Sequence, residues 1–163
     1  VTKLGAARRA KLGIGRAFQL TNLFPNITVH ENVRLAVQAH AGGDLLAAAN
    51  EAVPRISPAE AKKLIAHENA LVVDVRDPPE VAATGKVKGA INISRGMIEF
   101  RADSDTASYD PAFQKDRPII LYCASGGRSA LAGKALKEMG YGRVQNLGGF
   151  KDASEGGLDI EPA

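Results

Sequence analysis

From Pro54 onward, short runs of consecutive apolar residues alternate with stretches whose apolar positions recur at helical spacing. Ser57-Pro58-Ala59-Glu60 opens the first such stretch. Ser57 can cap free backbone N–H groups, Pro58 suits the first helical position, and Glu60 can close a capping box. The pattern predicts a helix through about residue 67. Ala70-Leu71-Val72-Val73-Asp74-Val75 is β-branched and apolar throughout, so it reads as a buried strand. Pro78-Pro79 ends it and can begin another short helix. Ala90-Ile91-Asn92-Ile93 reads as a second strand and residues 96–101 as a short helix. Residues 102–116 read as a polar loop carrying Asp103, Asp105 and Asp110. Pro118-Ile119-Ile120-Leu121-Tyr122 is the strongest strand signal. An amphipathic helix follows, with Ala130, Leu131, Ala135, Leu136 and Met139 on its apolar side, and Gly140 stops it. Val144-Gln145-Asn146-Leu147 is the last predicted strand, and Gly148-Gly149 leads into a final helix or turn. Strands alternating with helices predict an α/β domain with a mostly parallel sheet.

Composition narrows the function classes. Of 163 residues, 45% are apolar and 24% charged, which is globular usage. The net charge of +3 is too small to argue for nucleic acid, and no Trp and few other aromatics are present to stack bases. No apolar run approaches the roughly 18–20 residues of a membrane span, so none is expected. No secretory signal is visible, and a single thiol fits a reducing compartment, so the expected location is cytoplasmic. One cysteine excludes an internal disulfide and a CxxC site. His30, His40 and His67 lack metal-ligand spacing, so no metal or other cofactor is expected.

The candidate chemistry lies where the strongest strand ends. Cys123 opens the segment Cys123-Ala124-Ser125-Gly126-Gly127-Arg128-Ser129, between a strand end and a helix start. Ligands of open α/β folds bind beyond the carboxyl ends of the strands. Glycines let several N–H groups converge on an anion, and the helix dipole adds partial positive charge there. Both favour a thiolate on Cys123. The same donors, residues 124–129, would hold an anionic sulfur or the oxyanions of a substrate. Arg128 adds a permanent charge that can neutralise a carboxylate or bind an anion. A lone strand-end cysteine can also be buried and inert; the strand–Cys–Gly-Gly-Arg-Ser–helix context is what points to a nucleophile.

Across about residues 54–155 the chain resembles the rhodanese family. The resemblance rests on Val72-Val73-Asp74-Val75-Arg76-Asp77 followed by Glu80, on Gly89-Ala90-Ile91-Asn92-Ile93, on Cys123 through Ser129, and on Gly148-Gly149-Phe150. It implies a doubly wound α/β fold and a sulfurtransferase. The Cys123 thiolate would take a sulfane sulfur from thiosulfate or a persulfide donor, and a small-molecule or protein thiol would accept it. Asp74, Arg76 and Glu80 are expected as scaffold charges supporting the site, with Arg128 a partner of one of them. Arg95 and Arg101 are expected at its mouth or as plain surface arginines. Two departures from the family pattern stand out. Lys151-Asp152-Ala153 occupies a place where many relatives carry Trp, and Lys86 stands near a frequent His. The alternatives are a non-catalytic sulfur carrier or regulatory module, and a phosphatase or arsenate reductase. The last pair uses Cys-x5-Arg, whereas this loop is Cys-x4-Arg, one residue shorter and tighter for a phosphoryl group.

The chain divides into residues 1–41, a small, Ala-rich linker at 42–53, and the domain from 54 to 163. Gly13-Ile14-Gly15-Arg16-Ala17-Phe18-Gln19 and Asn22-Leu23-Phe24-Pro25-Asn26-Ile27-Thr28-Val29-His30-Glu31-Asn32-Val33 resemble a fragment of branched-chain amino-acid ABC-transporter ATPases. Thr28 and Glu31 suit a capping box for a helix over about 29–39. Gln19 falls on the Q-loop glutamine of that family. No Gly-x4-Gly-Lys-Ser/Thr phosphate loop occurs in the 163 residues, so ATP hydrolysis is not expected of them.

Overall fold

A computed structural model describes residues 45–163. The ABC-ATPase-like stretch, residues 1–41, lies outside the described residues, as do residues 42–44.

The elements run α1 (Leu45–Ala52), α2 (Pro58–Glu68), β1 (Leu71–Asp74), α3 (Pro78–Thr84), β2 (Lys86–Val87) and β3 (Ile91–Asn92), then a 3-10 turn (Arg95–Met97). There follow α4 (Ile98–Ala102), β4 (Ile119–Cys123), α5 (Gly127–Glu138), β5 (Val144–Gly149), α6 (Phe150–Glu155) and β6 (Ile160–Glu161). The main sheet has the order β3-β1-β4-β5, with every pair parallel. A small antiparallel pair, β2 with β6, had no counterpart in the sequence pattern because each strand is only two residues long.

Local chemistry explains the helix starts. The Ser57 hydroxyl accepts the Glu60 N–H at 3.2 Å, and the Glu60 carboxylate accepts the Ser57 N–H at 2.8 Å. At α3, Pro78 and Pro79 fill the first turn while Glu80 Oε2 accepts the Asp77 N–H at 3.1 Å.

The core is split by the sheet. Leu71, Val73, Val75, Ile119, Leu121 and Cys123 face one side, with Val53, Ile98, Ala132, Leu136 and Tyr141. Val72, Ile120 and Tyr122 face the other, with Ala61, Leu147, Ala153 and Leu158. Residues alternate along each strand because successive side chains point to opposite faces. Both faces are covered, so β1 and β4 are buried at every position. The stretch 42–53, read from sequence as a linker, supplies α1 and the buried residues Ala49 and Val53.

Helix α5 buries Ser129, Ala130, Ala132, Gly133 and Leu136, a stripe turned from the predicted one. Leu131, Ala135 and Met139 are only partly buried. The helix turns its smallest residues inward because it approaches closely. A Cβ at Gly133 would stand 2.9 and 3.0 Å from the two Val53 Cγ atoms.

Within Lys151-Asp152-Ala153, Ala153 is fully buried. Nearby Phe150 stacks on Tyr122, ring centroids 6.2 Å apart, and supplies aromatic packing at this end. Lys86 donates to the Ala90 carbonyl at 2.9 Å and pairs with Glu161. Among the described residues no helix is long and apolar enough to cross a membrane.

Candidate active site

Cys123 is the last residue of β4, at the carboxyl edge of the sheet, and is 1% exposed. Gly126 has φ +98°, which a Cβ would strain, and this turn delivers the chain into α5. The turn brings the Gly126 N–H to 3.1 Å from Cys123 Sγ. The Ser129 hydroxyl, on the first turn of α5, lies 3.6 Å from the same sulfur.

Burial pushes the Cys123 thiol up. Hydrogen bonds from the Ser129 hydroxyl and from the backbone N–H groups of Ser125, Ser129 and Gly126 pull it down and prevail. The net shift is below an ordinary thiol, so the thiolate is populated at lower pH.

Asn146 on β5 locks this arrangement. Its Nδ2 donates to the Gly126 carbonyl at 3.0 Å, and its Oδ1 accepts the Gly148 N–H at 2.9 Å. These two bonds fix the amide orientation. Oδ1 also lies 2.8 Å from the Ser129 hydroxyl. That hydroxyl has one proton for three acceptors: Asn146 Oδ1, the Gly126 carbonyl at 3.0 Å, and Cys123 Sγ. Asn146 is 1% exposed, so its bonds are made in a dry setting. The β4/β5 register slips here: Leu121 faces Asn146 but Tyr122 faces Gly148. The bulge sets Asn146, Gly148 and Gly149 against the cysteine loop. Sequence reading assigned Asn146 only to a strand. The available signal was an Asn, disfavoured in strands, two residues before Gly148.

The charged residues sort into two groups. Arg128 donates to both carboxylate oxygens of Glu80, at 2.6 and 2.7 Å, and lies 3.6 Å from Asp77. This fork holds the Glu80 carboxyl down at about 2. It joins the first turn of α5 to the first turn of α3.

Asp74 and Arg76 are a fully buried pair on the opposite face from Cys123. Arg76 Nε lies 3.0 Å from both Asp74 oxygens and Nη2 2.6 Å from one of them. Arg76 also donates to Thr84 Oγ1 and the Gly85 carbonyl, at 2.8 and 2.7 Å, and stacks 4.1 Å from the Phe150 ring centroid. The pair thus pins the end of β1 to the end of α3 and to α6, away from the sulfur.

Arg95 Nη1 donates to both carboxylate oxygens of Glu99 at 3.0 Å, and the 3-10 turn that holds Arg95 packs against α5. Arg101 donates to Asp110 at 2.8 Å. Both side chains are committed to neighbours rather than directed at Cys123. Ala124 and Ser125 are exposed at the loop tip and Gly127 is half-buried. Among the described residues no cluster of His, Cys, Asp and Glu could hold a metal.

Residues 57–155 match the model of the rhodanese-like domain. The chain belongs to this family. The rhodanese-like domain aligns with a sulfurtransferase of Allochromatium vinosum, 36% identical over 100 residues, covering 61% of this chain and 85% of that protein. It aligns with the human thiosulfate:glutathione sulfurtransferase at 28% over 102 residues, covering 59% and 88%. Among solved structures, a Rhodopseudomonas palustris protein of unknown function, described as a possible tyrosine phosphatase, superposes with TM-score 0.67. It is 31% identical, covering 90% of this chain and all of that one. The matched family segment contains Cys123, Ser129, Asn146 and the Glu80–Arg128 pair.

Proposed function

We propose that this rhodanese-like domain is a sulfurtransferase working through a persulfide on Cys123. The observation that carries the reading is the sulfur's setting: Sγ is buried yet bonded by the Gly126 N–H and the Ser129 hydroxyl, at the start of α5, with its thiol held below the ordinary value. The thiolate attacks the outer sulfur of thiosulfate. The donor S–S bond breaks, sulfite leaves with the electron pair, and the sulfane sulfur remains on Cys123. A thiolate acceptor then attacks that sulfur and releases the Cys123 thiolate. The loop N–H groups stabilise whichever sulfur carries the charge. The name of the human relative, a thiosulfate:glutathione sulfurtransferase, supports thiosulfate as donor and a thiol as acceptor. Intact-protein mass after incubation with thiosulfate tests this. The expected result is a gain of one sulfur atom, lost on adding cyanide and absent in Cys123→Ser. No gain on a Cys123 that still alkylates readily would overturn thiosulfate as donor and favour a carrier loaded by another protein.

The likeness to the possible tyrosine phosphatase raises a second reading. Two features weigh against it. The loop is Cys-x4-Arg, and Arg128 spends both terminal nitrogens on Glu80 rather than offering a free fork to a phosphoryl group. Hydrolysis of p-nitrophenyl phosphate, dependent on Cys123, would favour the phosphatase reading. For residues 1–41 the proposal stays that of an ABC-ATPase-like fragment without a phosphate cradle; micromolar ATP binding would contradict it.

A further inference from the structure

Arg55 is a second arginine at the cysteine loop, outside the motif. Its backbone is pinned to β5: the Asn146 N–H donates to the Pro54 carbonyl at 2.9 Å and the Ile56 N–H to the Asn146 carbonyl at 3.0 Å. The side chain then runs over two glycines. A Cβ at Gly148 would stand 2.4 Å from Arg55 Nη2, and one at Gly126 would stand 3.8 Å from Arg55 Nη1 and 3.2 Å from the Gly148 Cα. Both glycines have left-handed φ, +97° and +98°. Their missing side chains form a notch, and the guanidinium fills it. Gly126 is the residue whose N–H meets the sulfur of Cys123.

The two arginines differ in availability. Arg128 is held by two short charge-assisted bonds to Glu80. Arg55 uses one nitrogen, Nη2, on Asp152 at 3.1 Å, and both side chains are more than half exposed. An ion pair so exposed contributes little and exchanges readily for another anion.

We propose that Arg55 is the specificity-determining cation that receives the oxyanion end of the sulfur donor. It rests on the sulfurtransferase reading for the donor's identity, though not for the anion preference itself. Thiosulfate presents three oxygens on its inner sulfur while its outer sulfur meets Cys123. Those oxygens carry negative charge both in thiosulfate and in the sulfite that departs with the electron pair, so the guanidinium holds donor and leaving group alike. A planar guanidinium matches two oxygens at once. Asp152 holds the guanidinium in the notch when the site is empty and yields it to the donor.

The test compares alkylation of Cys123 by anionic iodoacetate and neutral iodoacetamide, on the full chain. In Arg55→Ala the iodoacetate-to-iodoacetamide rate ratio falls about fivefold, the factor one unit charge a few ångströms away produces in a water-like setting. Arg55→Lys keeps most of the ratio, and Asp152→Asn raises it. An unchanged ratio in Arg55→Ala, or an equal loss with both reagents, overturns the proposal, because the role would be absent or purely structural. The KM for thiosulfate in Arg55→Ala should rise by a similar factor with kcat little changed. A reduced ratio with an unmoved KM would overturn thiosulfate as Arg55's ligand. A wild-type chain that takes no sulfur from thiosulfate sinks the donor assignment alone, and the alkylation ratio still decides Arg55.

Discussion

Ser129 Oγ lies 2.8 Å from Asn146 Oδ1 and 3.6 Å from Cys123 Sγ, so its one proton can serve either the amide oxygen or the sulfur. When the sulfur is a thiolate or persulfide, turning this proton from Asn146 Oδ1 to Sγ exchanges a neutral acceptor for a charged one. Removing the hydroxyl should therefore raise the Cys123 pKa. In Ser129→Ala the pH profile of iodoacetamide alkylation should move to higher pH by about one unit, the size expected for losing one hydrogen bond to a charged group. The maximal rate at high pH should change little. A profile that stays in place would show that the backbone N–H groups alone set the thiolate.

Asn146 should matter chiefly for stability and loop geometry. Its amide satisfies the Gly126 carbonyl and the Gly148 N–H in a dry setting. Asn146→Leu strands the Gly148 N–H, while the Gly126 carbonyl keeps the Ala130 N–H at 3.1 Å and the Ser129 hydroxyl at 3.0 Å, so the cost is about 1–3 kcal/mol for one buried unsatisfied group. Urea denaturation reads that loss directly. Alkylation of Cys123 should also slow at neutral pH, because the loop loses its tie to β5.

The Glu80–Arg128 fork should stabilise the domain in a pH-dependent way. The folded Glu80 carboxyl titrates at about 2 against an ordinary 4.5. A depressed folded value means the contribution is full above the unfolded value and is lost as pH falls through the folded one. The gap between wild type and Glu80→Gln should be constant above about pH 5 and close as pH falls toward 2. Because the carboxylate is 38% exposed, solvent screening limits the gap to about 1 kcal/mol. A gap that widens on acidification would contradict the assignment.

Gly133 in α5 tests the close approach of helix and core. Ala is the better helix former by about 1 kcal/mol. Against that, its Cβ would meet Val53 at 2.9 and 3.0 Å and Leu121 at 3.3 Å, inside a filled core. Overpacking of this kind costs about 1–3 kcal/mol and should win, so Gly133→Ala lowers Tm. Adding Val53→Ala returns the space. The double variant should be more stable than the two separate losses add up to, a coupling that a thermal-denaturation cycle measures.

Much of this was written in local pattern. The two buried strands, the capped helix at Ser57 and the loop that follows Cys123 each declare themselves within a few consecutive residues, because β-branched runs, N-caps and glycines act over short range. That is why Leu71–Asp74, Pro58–Glu68 and Ile119–Cys123 lie within a residue or two of their predicted bounds. The inward stripe of α5 was misjudged for the opposite reason. Hydrophobicity ranked Leu131 above Gly133, but the distance to Val53, eighty residues earlier, decided which side turned in.

By itself, then, the sequence determined an α/β chain with a single cysteine set between a strand end and a helix start, since those features depend on neighbours along the chain. Only the tertiary structure decided which charges pair across it: Glu80 with Arg128, Asp74 with Arg76, and Arg55 laid into a notch beside Gly126 and Gly148. It also decided that Asn146 would hold the loop. A hydrogen bond or ion pair is fixed by separation in space within about 3 Å, and the register slip between β4 and β5 that brings Asn146 to Gly126 is settled only when the two strands pair.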